Sequence, residues 1–89
     1  MNKITVDEFF KSNKRLAIHP GSIENDKALR EAFDKKGHTW YSGRRYTEHN
    51  NYDIYKDETC YGNNRMSCDF DYYKSHGYKI IEFKDIDLK

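Results

Sequence analysis

Three groups of side chains in this 89-residue sequence could do chemistry, and each asks for a different ligand. The first is His19-Pro20-Gly21-Ser22, a histidine followed by a turn dipeptide and a serine placed to open a helix. Free N–H groups at a helix start receive a phosphate or carboxylate, and an imidazole beside them exchanges a proton near neutral pH. With Arg44 as a further cation, His19 and Ser22 would hold a small nucleotide. The simpler alternative is a strand-end histidine bonded to backbone and a serine that caps its own helix. It carries more weight, because the glycine-rich fingerprint of a phosphate loop is absent.

The second group interleaves cations with aromatics: Lys35, Lys36, Trp40, Tyr41, Arg44, Arg45 and Tyr46. Such residues neutralise phosphates and stack bases in single-stranded nucleic-acid binders. Alternation along a strand would send Trp40 and Tyr41 to opposite faces, so a core tryptophan beside solvated arginines is preferred, and direct nucleic-acid binding is not expected. The third group is acidic: Glu48, Asp53, Asp57, Glu58, Asp69 and Asp71, with Tyr46, Tyr52, Tyr55, Tyr61, Tyr72 and Tyr73 among them. Carboxylates and tyrosines on one surface can imitate a nucleic-acid backbone or dock on an arginine-rich groove. Solubility would account for the carboxylates alone, but these tyrosines exceed what a small hairpin can bury. The expected partner-binding set is Tyr52, Tyr55, Asp57, Glu58, Asp69, Asp71 and Tyr72.

Catalytic motifs are missing: the chain has no GxSxG, HExxH, P-loop or CxxC. Two cysteines and four scattered histidines do not supply zinc ligands at a recognisable spacing. The expectation is therefore no enzyme, no metal and no cofactor. Cys60 and Cys68 would face each other across a hairpin with a three-residue loop centred on Asn64, where a disulfide is geometrically allowed. With no signal-peptide core and no apolar run near the roughly 20 residues that span a bilayer, a cytosolic chain with reduced thiols is expected. The net charge of +1 divides into a basic half to residue 46 and an acidic half after it, too mild for a nucleic-acid signature.

The elements that must position these groups follow from pattern. One domain over residues 1–89 is the size-consistent reading, its thin aliphatic content offset by eight Tyr, five Phe and one Trp. Thr5-x-x-Glu8 is a capping box opening a helix from Val6 to Ser12. Arg15 to His19 reads as a central strand, with Leu16 and Ile18 to one face and Ala17 to the other. Ser22 opens a helix from Ile23 to Lys36, stopped by Gly37, and His38 to Ser42 reads as a second strand. A loop from Tyr46 to Asp53 leads to a hairpin with arms Ile54 to Tyr61 and Arg65 to Phe70. Asp69 or Asp71 caps a last helix stopped by Gly77. Tyr78 to Phe83 then forms a strand whose adjacent isoleucines place it in the sheet interior, and Lys84 to Lys89 is a frayed tail. The fold class is α+β: a small, mostly antiparallel or mixed sheet of four to five strands with two to three helices on one face.

Thr5-x-x-Glu8-Phe9, Ala17-Ile18-His19, Gly37-x-x-Trp40-x-Ser42-Gly43, Thr59-Cys60-Tyr61 and the closing Gly77-Tyr78-Lys79-Ile80-Ile81-Glu82-Phe83 carry a resemblance. Over nearly the whole chain the sequence resembles small uncharacterised proteins of phages and prophages of Gram-positive bacteria. That group often has cysteine after the histidine, where this chain has Pro20. The resemblance implies a bacterial host cytosol and a counter-defence role, in which a small protein blocks a host defence protein as anti-CRISPR proteins block a CRISPR effector. It supplies no catalytic residues. Sequestering a small nucleotide signal is the alternative in the same setting, with a nucleic-acid-binding module behind it. Exposed tyrosines are compatible with a homodimer.

Overall fold

Leu16–His19 forms strand β2, which sits inside a four-stranded sheet in the computed structural model, a structure describing residues 3–48 and 52–89. On one side of β2 lies β3 (Thr59–Gly62), antiparallel, followed by β4 (Ser67–Asp69); on the other lies β5 (Lys79–Glu82), parallel. The order is β4-β3-β2-β5, a mixed sheet. Residues alternate across it as the pleat requires. Leu16, Ile18, Tyr61 and Ile81 join the main core, whereas Ala17, Cys60 and Ile80 belong to a smaller cluster with Tyr73. Helices α1 (Val6–Lys11) and α2 (Ile23–Lys35) cover the main face through Val6, Phe9, Leu29 and Phe33. After a one-turn helix α3 (Tyr52–Tyr55) and the hairpin, α4 (Phe70–Ser75) covers the other face through Tyr73. A separate pair of short parallel strands, β1 (Ile4–Thr5) and β6 (Ile86–Asp87), joins the beginning of the chain to its end. The α+β class therefore stands.

Helix boundaries follow local chemistry. Thr5 and Glu8 close a reciprocal capping box, Ser22 accepts from Asn25 N–H, and Asp69, rather than Asp71, caps α4. Both helix stops are left-handed glycines, Gly37 at φ 82° and Gly77 at φ 80°. At each, two bonds recover the orphan carbonyls: His38 N–H to Phe33 and Gly37 N–H to Asp34, then Tyr78 N–H to Tyr73 and Gly77 N–H to Lys74. The Tyr73 and Tyr78 rings meet edge to face at 4.7 Å, the apolar contact that accompanies this motif.

Four expectations are corrected. His38 to Ser42 is no strand: only Thr39 bridges, to Arg45, because Trp40 N–H bonds Arg44 C=O and Gly43 N–H bonds Trp40 C=O, curling the segment into a tight loop. The first hairpin arm starts at Thr59, since Tyr52–Tyr55 is helical and Lys56–Glu58 is a 3-10 turn entered through a left-handed Lys56. Strand β5 lies at the sheet edge, not inside it. Its two isoleucines have apolar cover on opposite faces, so burial on both faces does not require two strand neighbours. The tail is ordered: Phe83–Asp85 makes a 3-10 turn and Ile86 is buried where β6 pairs β1. Of the expected loop from Tyr46 to Asp53, residues 49–51 lie outside the described residues.

Candidate functional site

The β3–β4 hairpin carries candidate residues at both ends. Its register pairs Thr59 with Asp69, Cys60 with Cys68 and Tyr61 with Ser67, so the loop is centred on Asn64 as the cysteine spacing predicts. Both thiols are free. Cys60 is fully buried, and burial pushes its thiol up to about 12, helped by the charges of Glu82, Asp69, Cys68 and Glu58. A nucleophile needs its thiolate, so this one is inert.

At the open end of the hairpin the Thr59–Asp69 pairing draws the two acidic stretches together. Asp57, Glu58 and Asp71 are exposed there, as is Asp53 on α3. Asp69 is half-buried and already engaged, accepting from Tyr72 N–H at 2.9 Å as the cap of α4. Tyr72 is exposed and stacks on His76, while Tyr52 and Tyr55 are half-buried. The Cys68 thiol lies 3.9 Å from the Tyr55 hydroxyl; that contact, more than burial or Asp69, holds the phenol above its usual range. Tyr52 is shifted the same way by desolvation and then by the charges of Asp57, Asp26 and Glu24. Ile54 is 68% exposed beside these groups. Tyr46, Tyr61 and Tyr73, by contrast, are fully buried, so the fold buries more of the tyrosine-rich stretch than a hairpin alone could.

The His19 corner does not assemble as a ligand site. His19 Nδ1 lies 3.0 Å from Glu82 Oε1, and Nε2 donates to the Asp57 carbonyl at 2.7 Å. Both ring nitrogens are thus used to tie β2 to β5 and to the turn before β3. Ser22 caps its own helix, and Asn25 bonds back to the Pro20 carbonyl. Arg44 is elsewhere. It lies near the hairpin tip, beyond Gly62, whereas His19 bonds Asp57 at the opposite end of β3. The chain finds no match among protein-family models, curated proteins or solved structures. Residue geometry is therefore what carries the assignment.

At the hairpin tip an open groove of about 510 Å³ runs between the loop 40–44 and residues 65–67, lined by Trp40, Tyr41, Arg44, Glu48, Arg65 and Met66, with Ser42 and Ser67. Of the cationic and aromatic group read from sequence, Trp40 and Tyr46 are core, 4.4 Å apart, while Tyr41 is 82% exposed. Tyr41 N–H donates to the Arg65 carbonyl at 2.8 Å, which fastens the loop to the hairpin. Arg65 closes the hairpin turn by its N–H to Gly62 at φ 65°, the left-handed position of a three-residue loop that favours glycine. A side chain there costs about 1–2 kcal/mol. The Arg65 guanidinium lies over the Phe10 ring at 5.1 Å and donates to the Thr39 carbonyl at 3.3 Å. Sequence reading missed Arg65 and Met66 because the segment they share a groove with is distant in sequence. The available signal was an arginine in the glycine position of the loop centred on Asn64. Among the described residues no group of His, Cys, Asp and Glu is arranged to hold a metal, and no helix is long and apolar enough to cross a membrane.

Proposed function

We propose that this chain is a non-enzymatic binding protein that docks on a basic surface of a partner protein and inhibits it. In the phage setting that the resemblance implies, the partner is a host defence protein, a CRISPR effector among the candidates. The observation that carries this reading is the Thr59–Asp69 pairing, which brings the segment bearing exposed Asp57 and Glu58 to the same end of the hairpin as the segment bearing exposed Asp71 and Tyr72. Exposed carboxylates steer a basic partner and fix orientation, while tyrosines supply contact area at the centre of an interface. A usual interface takes about 800 Å² per partner, roughly one-seventh of the 5729 Å² surface, so this end can be covered while the hairpin tip stays open.

The test uses the full chain, tagged, against a Gram-positive host lysate, beside a variant carrying Asp57→Asn, Glu58→Gln and Asp71→Asn. Asp69 is left intact because it caps α4. The expected result is one stoichiometric basic protein retained by the native chain, weakened by added salt and lost with the triple variant. Equal capture by the variant, or capture of no protein, would overturn the reading.

A further inference from the structure

The groove at the hairpin tip asks for a ligand of its own. We propose that it binds a nucleoside phosphate, with the base laid against Tyr41 and Met66 and the phosphate held by Arg44 and Arg65. Its volume of about 510 Å³ falls within the roughly 300–1,000 Å³ of small-molecule sites and is larger than a bare anion needs. The lining separates by chemistry. Tyr41, 82% exposed, and Met66, 53% exposed, offer ring and thioether surface, and bases stack on aromatic side chains whatever their identity. Trp40 forms the floor, held from behind by the buried Tyr46 and Tyr61 rings at 4.4 and 5.8 Å.

The two arginines are prepared for an anion in different ways. Arg44 is exposed, and its guanidinium makes no ion pair or side-chain hydrogen bond among the described residues. Arg65 has partners already: its guanidinium rests on Phe10 and gives one bond to Thr39, leaving further N–H donors from a fork suited to phosphate. The chain keeps arginine at a left-handed position that glycine would occupy without strain. Arg65 lines the groove, and its strained backbone is offset by the contacts of its head group with Phe10 and Thr39 and, on this proposal, with the phosphate. Glu48, the acidic member of the lining, supplies the acceptor that an exocyclic amine or a ribose hydroxyl requires. Anion, flat ring and donor edge together describe a nucleotide; a bare phosphate would use only the arginines.

Isothermal titration of the full 89-residue chain with adenosine monophosphate, adenosine and inorganic phosphate tests this. The monophosphate is expected to bind at least roughly tenfold tighter than either part, since ring and anion are held at once. Arg44→Ala is expected to weaken it by roughly tenfold or more with the melting temperature unchanged, because a charge-assisted contact to an exposed side chain is lost. Tyr41→Ala should weaken the monophosphate and leave phosphate untouched. Arg65→Gly should melt close to the native temperature, because relief of the left-handed strain offsets the lost Phe10 and Thr39 contacts, and still bind poorly, separating the head group from the turn. Absence of binding up to about 1 mM, phosphate binding as tightly as the monophosphate, or full affinity in Arg44→Ala would each overturn the proposal. None of these outcomes depends on the acidic end, so failure here and failure of the protein-docking reading are distinguishable.

Discussion

Asp26→Ala tests a polar contact that is fully buried. Asp26 is fully buried on the first turn of α2, with its Oδ2 2.9 Å from Arg30 Nε and its other oxygen accepting from the Tyr61 hydroxyl on β3. On an exposed helix such an i,i+4 pair contributes about 0.3–0.5 kcal/mol. Here the Arg30 side chain is only 11% exposed and Tyr61 is sealed, so removing the carboxylate leaves a charge and a hydroxyl out of water. Breaking a buried pair costs about 3–5 kcal/mol. An 89-residue domain at 0.05–0.15 kcal/mol per residue holds roughly 4–13 kcal/mol, so this one change removes a large share of it. Urea denaturation followed by the fluorescence of Trp40, whose ring centre is 5.8 Å from that of Tyr61, reads the loss. Tyr61→Phe alone should cost about 1 kcal/mol. The double variant should be less damaged than the sum by about 1–3 kcal/mol, because no hydroxyl is then orphaned. A cost under about 1 kcal/mol for Asp26→Ala, or strict additivity, would refute the argument that burial sets the value of this pair.

Two further predictions concern the same equilibrium. Cys60 is raised from its ordinary 9.0 up to about 12, and burial raises Tyr46, Tyr61 and Tyr73 well above the usual phenol range. Above the unfolded thiol's pKa the unfolded chain binds fewer protons than the folded one, so stability falls as pH rises, by up to about 1.4 kcal/mol per pH unit for Cys60 alone. Urea midpoints measured from about pH 8 to pH 11 should decline, and Cys60→Ala should flatten the first part of the decline, below the usual tyrosine range. Gly37→Ala and Gly77→Ala should each cost about 1–2 kcal/mol in the same assay, since an added methyl meets open space or only Arg15 Nη1 at 4.0 Å and the penalty is backbone strain. An unchanged midpoint would remove the left-handed glycine as the reason these helices stop.

Much of the fold was legible because its signals are local. Thr5 and Glu8, Ser22, Gly37 and Gly77 state helix limits within four residues of chain, and Leu16-Ala17-Ile18 states which face is core. The cysteine spacing stated the hairpin register because pairing across a turn is set by counting. What stayed hidden depends on contacts between distant segments. Ile80 and Ile81 look like an interior strand, yet cover on opposite faces does the same burial at an edge. Asp26 and Arg30 are ordinary helix-surface residues until Tyr61 closes over them. The candidate sites divide likewise: the acidic stretches meet through one register, whereas the groove unites Tyr41 and Arg44 with Arg65 and Met66 through a backbone bond no local pattern announces.

The pairing of β1 with β6 sets how the chain would respond to mechanical load. Ile4 lies beside Ile86 and Thr5 beside Asp87, in parallel. Tension applied through residue 4 at one side and residue 87 at the other runs along the two strands in opposite directions, so their hydrogen bonds are sheared together instead of unzipped singly. Behind them β2 and β5, likewise parallel, meet the same geometry over Leu16–Lys79 to His19–Glu82. Pulling from the ends thus encounters two shear clamps in series, the longer one between the central strand β2 and the edge strand β5, and the hairpin bearing both candidate sites hangs outside the loaded path.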